Sequence, residues 1–178
     1  MSRILPYRGI LPRVAPDAFV APGAILVGDV ELGAESSIWF GAVLRGDVMP
    51  IRIGARTSIQ DSSIVHSTGG WWPVDVGDDC VVGHGVILHG CTVASRVLVG
   101  MGAILLDEVE VGSDTIIGAG SLLPPKMKIP SGVLALGRPA KIVRDLNEKD
   151  FASIRDGARI YVGEVHEYRE EYDKLSER

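Results

Sequence analysis

Apolar residues recur every six positions along most of this chain, a period that belongs to neither an α-helix nor an ordinary strand. Val14, Val20, Leu26, Leu32, Ile38 and Leu44 follow one another without a miss. The phase resumes at Ile53, Ile59 and Val65, at Val76 and Val82, and from Val93 through Val99, Leu105, Val111, Ile117 and Leu123. Small residues such as Gly33, Gly54, Gly77 and Gly100 often come next. Six residues make one short strand and a turn, with a branched side chain pointing inward and a small residue letting the chain bend. Three hexads close a triangular coil of about 18 residues, and coils stacked about 4.8 Å apart turn residues 14–123 into about six coils, a prism on the order of 30 Å tall. The expected fold class is an all-β solenoid.

The phase breaks locate inserted residues. Three extra lie between Leu44 and Ile53, a loop holds Gly69-Gly70-Trp71-Trp72-Pro73, and Val76 to Val93 is 17 residues, one short of a coil. Breaks in a strict solenoid are where function is expected. From Asn147 the pattern becomes helical: Phe151, Ile154, Ala158, Tyr161, Val165, Tyr168, Tyr172 and Leu175 follow a 3-4 spacing, with Asn147 and Asp150 as an N-terminal cap. About 30 helical residues span roughly 45 Å, and their apolar stripe must cover the side of the prism. One domain is expected over 1–178, with the solenoid at 8–125, a connecting segment at 126–146 and the helix at 147–176.

A hydrophobic fraction of 46% with only 6% aromatics suits a core of Val, Ile, Leu and Ala. The net charge of −5 leaves no electrostatic footprint for nucleic acid or an anionic membrane. Apolar runs are too short for a membrane span and the start lacks a signal-like apolar segment, so a soluble, cytoplasmic protein is expected. Cys80 and Cys91 fall at small-residue positions of the repeat and read as buried reduced thiols, ahead of a disulfide or a thiolate ligand.

Three of the four histidines, His66, His84 and His89, lie within 24 residues inside the repeat, and imidazole is the common ligand of zinc and iron in catalytic sites. His166 falls on the polar face of the helix and reads as an ordinary surface residue. His84 and His89, five residues apart, flank a prism corner with backbones on the order of 10 to 16 Å apart, whereas zinc needs nitrogens at about 2.0–2.1 Å. They read as serving different metals, so that a three-histidine site takes two chains; the alternative is that the imidazoles only stack at a metal-free interface. A heterologous contact that closes a ring gives one site per subunit, and for a three-sided prism the natural ring is a homotrimer. Arg45 and Asp47 of LRGDV, and Gln60 and Asp61 of SIQDSSIVH, are polar where the repeat would accept something bland. They read as groups touching the substrate or the metal's water, or as an interface salt bridge of Arg45 with Asp47 or Asp61.

LRGDV, SIQDSSIVH, VGHGVILHGC, VGMGAILLD and GRPAKIVRD together resemble the gamma-class carbonic anhydrases and their close bacterial relatives, over essentially residues 8 to 176. The resemblance implies a left-handed parallel β-helix of the hexapeptide-repeat kind. It implies a zinc ion, with iron(II) or cobalt also compatible, held at each subunit interface by His66 and His89 of one chain and His84 of its neighbour. Simple coil counting would instead stack His66 on His84. The implied reaction is reversible hydration of carbon dioxide to bicarbonate by metal-bound hydroxide. Gln60 would hydrogen-bond the metal's water, Arg45 and Asp47 would shape the interface and the bicarbonate position, Asp61 would orient neighbouring groups, and Tyr161 would reach in from the helix. The chain departs from the best-studied type of the family at Val48, where a glutamate follows Arg-Gly-Asp, and at Ser58, where asparagine is frequent. Three other readings stay open: metal-dependent thioester or ester hydrolysis, acyl transfer of the hexapeptide class, which shares the prism and GRPAK, and a non-catalytic metal-binding trimer.

Overall fold

A computed structural model of the chain describes residues 3–176, with side chains through Tyr172; the expected stripe residue Leu175 lies outside the described side chains. The six-residue period becomes three inward columns. Leu26, Leu44, Val65, Leu88, Leu105 and Leu123 pair in succession through parallel strands and are all fully buried. Val14, Leu32, Ile53, Val76, Val93 and Val111 form the second column, which continues to Ile129. Val20, Ile38, Ile59, Val82, Val99 and Ile117 form the third, which continues to Ala135. Each fully buried Leu, Ile or Val stabilises by about 1.5–3 kcal/mol, so the stacked columns are the core. The result is a left-handed β-helix of the hexapeptide-repeat type.

It has about seven turns where residues 14–123 suggest six. Arg3–Leu5 adds pairing at one end, on Ile25–Val27. At the other, residues 126–146 do more than connect: Lys128–Ile129 and Val133–Gly137 carry the repeat onward, and Ala140–Asp145 folds back antiparallel as a cap on the last coil. The long strands Ile25–Leu32 and Val43–Ile53 turn a corner and join two faces into a 12-stranded sheet, and the third face is an 8-stranded sheet.

The C-terminal helix, Glu148–Ser176, covers part of that third face. Asn147 Oδ1 accepts from the Lys149 and Asp150 amides at 2.9 and 3.2 Å, and Asp150 Oδ2 accepts from the Asn147 amide at 2.8 Å, a reciprocal cap. Ile154, Ala158 and Val165 are the buried side chains of its inner face. Tyr161 and Tyr168 meet the Trp39 ring edge-on at 5.8 and 5.2 Å, and Tyr172 stacks on Phe19. No helix among the described residues is long and apolar enough to cross a membrane.

Candidate metal centre

The irregular coils place the histidines. The strand Val43–Ile53 pairs with Ile25–Leu32 through Gly28 and Gly46, then resumes at Val30 and Ile51, so residues 47–50 bulge outward. Asp47 sits in that bulge and forms an ion pair with Arg45. On the next strand Leu44 pairs with Val65, which sets His66 beside Arg45. On the strand after that His89 pairs with His66, their ring centroids 5.4 Å apart. Coil counting fails here because residues 67–73 contain a five-residue insertion, which turns an 18-residue step into a 23-residue one.

His66 Nε2 lies 3.1 Å from Asp47 Oδ1. Burial works to raise the Asp47 carboxyl, but hydrogen bonds from Arg45 and His66 outweigh it and hold the group below the usual carboxylate range. Burial lowers the His66 imidazole against the opposing Asp47 contact, with Arg45 adding to the lowering, and so favours its neutral, ligating form. His89 Nδ1 is 2.7 Å from Asp107 Oδ1, and Thr68 Oγ1 donates to Asp107 Oδ2 at 2.8 Å.

His84 occupies a turn on another edge of the prism. Val81 pairs with Ser58, so the turn Gly83-His84 follows the turn Gln60-Asp61 one coil on. His84 is half exposed, and its Nδ1 lies 2.7 Å from Asp61 Oδ2. Gln60 is 4% exposed and lines, with His84, Leu98, Met101, Ile160 and Tyr161, a groove of about 740 Å³ between prism and helix. Burial, then Glu164 and Asp61, raise the Tyr161 hydroxyl above its ordinary range, and its ring packs on Trp39.

The expected site residues thus fall into two groups. Arg45, Asp47, His66 and His89 come together on one part of the surface, and Gln60, Asp61, His84 and Tyr161 on another. Among the described residues, no three or more His, Cys, Asp or Glu side chains of one chain are arranged to hold a metal ion.

The donor set fits a divalent cation. A carboxylate can only accept, so Nδ1 of His84 and of His89 donates to Asp61 and Asp107, and in the neutral ring Nε2 is then the nitrogen free to bind a metal. A carboxylate behind the imidazole is the usual support of a metal-binding histidine. His66 differs: its Nε2 faces Asp47, which leaves Nδ1 as the nitrogen outside that contact. The cysteines stay apart from this chemistry, both free and buried, their thiols pushed by burial up to about 12. Sequence reasoning missed Asp107 and Thr68. An aspartate 18 residues beyond His89 was the available signal.

Fold and site define a hexapeptide-repeat β-solenoid that carries histidine–aspartate pairs on its edges. No protein-family model matches the chain. It is 48% identical over 166 residues to a carbonic anhydrase of Geobacillus kaustophilus, covering 93% of this chain and 91% of that protein. It is 43% identical over 171 residues to mitochondrial gamma carbonic anhydrase 2 of Arabidopsis thaliana, covering 93% of this chain but spanning 62% of that relative's length. Among solved structures, a Bacillus cereus protein named as an acetyltransferase superposes with a TM-score of 0.93 at 43% identity, over 95% of this chain and 98% of that one. The chain belongs to the gamma-class carbonic anhydrase-like family of hexapeptide-repeat proteins.

Proposed function

We propose that the protein is a metal-dependent carbonic anhydrase that interconverts carbon dioxide and bicarbonate at the subunit interfaces of a homotrimer. The observation that carries this reading is the split itself. Two histidines and an Arg–Asp pair stand on one part of the prism, and the third histidine stands with Gln60 on another, so apposed copies would complete one three-imidazole site per interface. A solvent-side column of apolar residues beside His66 and His89, Ile25, Val43, Ile64, Ile87, Ile104 and Leu122, gives a second copy a surface to cover.

His66 and His89 of one chain and His84 of its neighbour would hold the metal, and zinc, iron(II) and cobalt all suit three imidazoles. A divalent ion held this way supplies an open position at which water is acidified to near neutrality. The protein's part is to fix and shield that position. Asp61 and Asp107 orient the rings of His84 and His89, Arg45 held by Asp47 places a cation for bicarbonate, and the Gln60 amide offers hydrogen bonds to the reacting oxygen. Tyr161 walls the groove beside Gln60. Val48, exposed after Asp47, has no group to carry a proton, so turnover is expected to depend on buffer as the external base.

Stopped-flow carbon dioxide hydration, on anaerobically prepared protein with its metal quantified, tests the reading beside a His84→Ala control. Turnover that vanishes in the control supports it; a fully metallated trimer without hydration above background overturns it. Acyl transfer is the second reading, favoured by the apolar walls of the groove next to a His84 whose Nδ1 is held by Asp61. Acyl-coenzyme A consumption that needs His84 but neither His66 nor metal would select it.

A further inference from the structure

Asp107 lies one coil beyond the histidines and touches both His89 and the inserted loop. Its two oxygens are used separately, Oδ1 at 2.7 Å from His89 Nδ1 and Oδ2 accepting from Thr68 Oγ1 at 2.8 Å. The local chain is shaped to allow this. Between Leu88 and Val93 the repeat takes five residues where six are usual, and Gly90 turns that corner with φ of +55°, where a Cβ would overlap Asp107 Oδ1 and press on Trp72 Cβ at 3.2 Å. The Glu108 amide donates to the Gly90 carbonyl at 2.8 Å and the Gly90 amide to the His66 carbonyl at 3.1 Å, which ties the three coils together at this point. Thr68, in turn, is the second residue after His66 and opens the five-residue insertion.

We infer that Asp107 is a positioning residue for His89, and that the 67–73 insertion acts on the metal centre through Thr68. As a carboxylate acceptor Asp107 fixes the His89 ring as the Nδ1–H tautomer, turns bare Nε2 outward and makes the imidazole a stronger donor. Thr68 holds the free oxygen of Asp107 and stops the carboxylate from swinging away. The loop therefore acts on the His89 ring through Asp107. The inference rests on the proposed metal site, but its first consequence, the tautomer, is a property of the metal-free chain.

The test is the His89 tautomer in metal-free protein, read by long-range proton–nitrogen NMR, together with zinc affinity by competition with a chelator. The native protein should show the Nδ1–H form. Asp107→Ala should give mixed tautomers and weaken zinc about 10- to 100-fold. Asp107→Asn, whose amide oxygen still accepts from Nδ1–H, should keep the tautomer and lose markedly less affinity. Thr68→Val, nearly the same shape, should weaken zinc less than Asp107→Ala does and serves if that variant does not fold. Retention of the pure Nδ1–H form in Asp107→Ala, or of native zinc affinity in both Asp107→Ala and Thr68→Val, would overturn the inference. A native protein that shows the Nδ1–H form yet takes up no zinc would overturn the metal-site reading while leaving the tautomer assignment standing.

Discussion

The coils after residue 93 and those between 44 and 93 are built from the same hexads, yet they differ in kind. In the later coils the step is regular: Leu98 pairs with Ile116 and then Leu134, and Thr92 with Glu110 and then Lys128, each 18 residues on. In the earlier coils steps of 23 and 17 appear instead, His66 to His89 and Leu88 to Leu105. The regular coils supply burial and, behind His89, the carboxylate of Asp107. The irregular ones carry Asp47 in a bulge, Thr68 in an insertion and His89 beside a shortened corner. The buried columns run through both without interruption, which shows how a solenoid tolerates insertions: each departs at a corner and leaves the inward position in register.

The comparison breaks most sharply if chemistry and stability prove inseparable. His84→Ala should abolish metal uptake and hydration while changing stability by no more than about 0.5 kcal/mol, because the side chain is half exposed and lies outside the columns. Metal analysis beside a urea titration checks both. Leu88→Ala should do the converse within the same coil. It removes a fully buried member of a column and should cost about 2–5 kcal/mol in the same titration, with activity following only the folded fraction.

A subtler pair sharpens the contrast. Gly102 and Gly90 both turn corners at positive φ, but a Cβ at Gly102 meets open space, whereas at Gly90 it meets Asp107. Alanine at either position should cost about 1–2 kcal/mol for the backbone strain. Only Gly90→Ala should also weaken zinc binding, by displacing the carboxylate behind His89.

The smallest effect lies at the helix cap. Asp150 is held down to about 2 by the Arg144 guanidinium and then by the Asn147 amide. Its folded value is depressed, so its stabilising contribution is present above the ordinary 3.8 and is lost as pH falls through about 2. Helical circular dichroism followed from pH 5 to pH 2 should fade over that window in the native protein, and Asp150→Asn should lack this acid-dependent step.

The sequence made the regular part of the molecule legible, because one branched residue per hexad is a signal that local propensity does not blur. It lost the last coil, where Ala135 holds a column position with a side chain too small to register as core and Pro124-Pro125-Lys126 disguises the turn before it. The histidines were visible by type and clustering, but their register was not. Counting by 18 sets His66 over His84, and only the position of the five-residue insertion sets it over His89. Asp107 escaped notice because an aspartate at a turn is ordinary, and its role depends on Gly90, one coil earlier in the shortened corner.

If each metal site is assembled from two chains, subunit mixing shows it most directly. His66→Ala and His84→Ala variants should each bind no metal at the three-histidine site and show no hydration. Unfolded together in equal amounts and refolded as mixed trimers, they should regain about one quarter of native metal content and turnover, the share of interfaces that pair an intact His66–His89 face with an intact His84. Recovery no greater than in the separate variants would contradict a site shared between subunits.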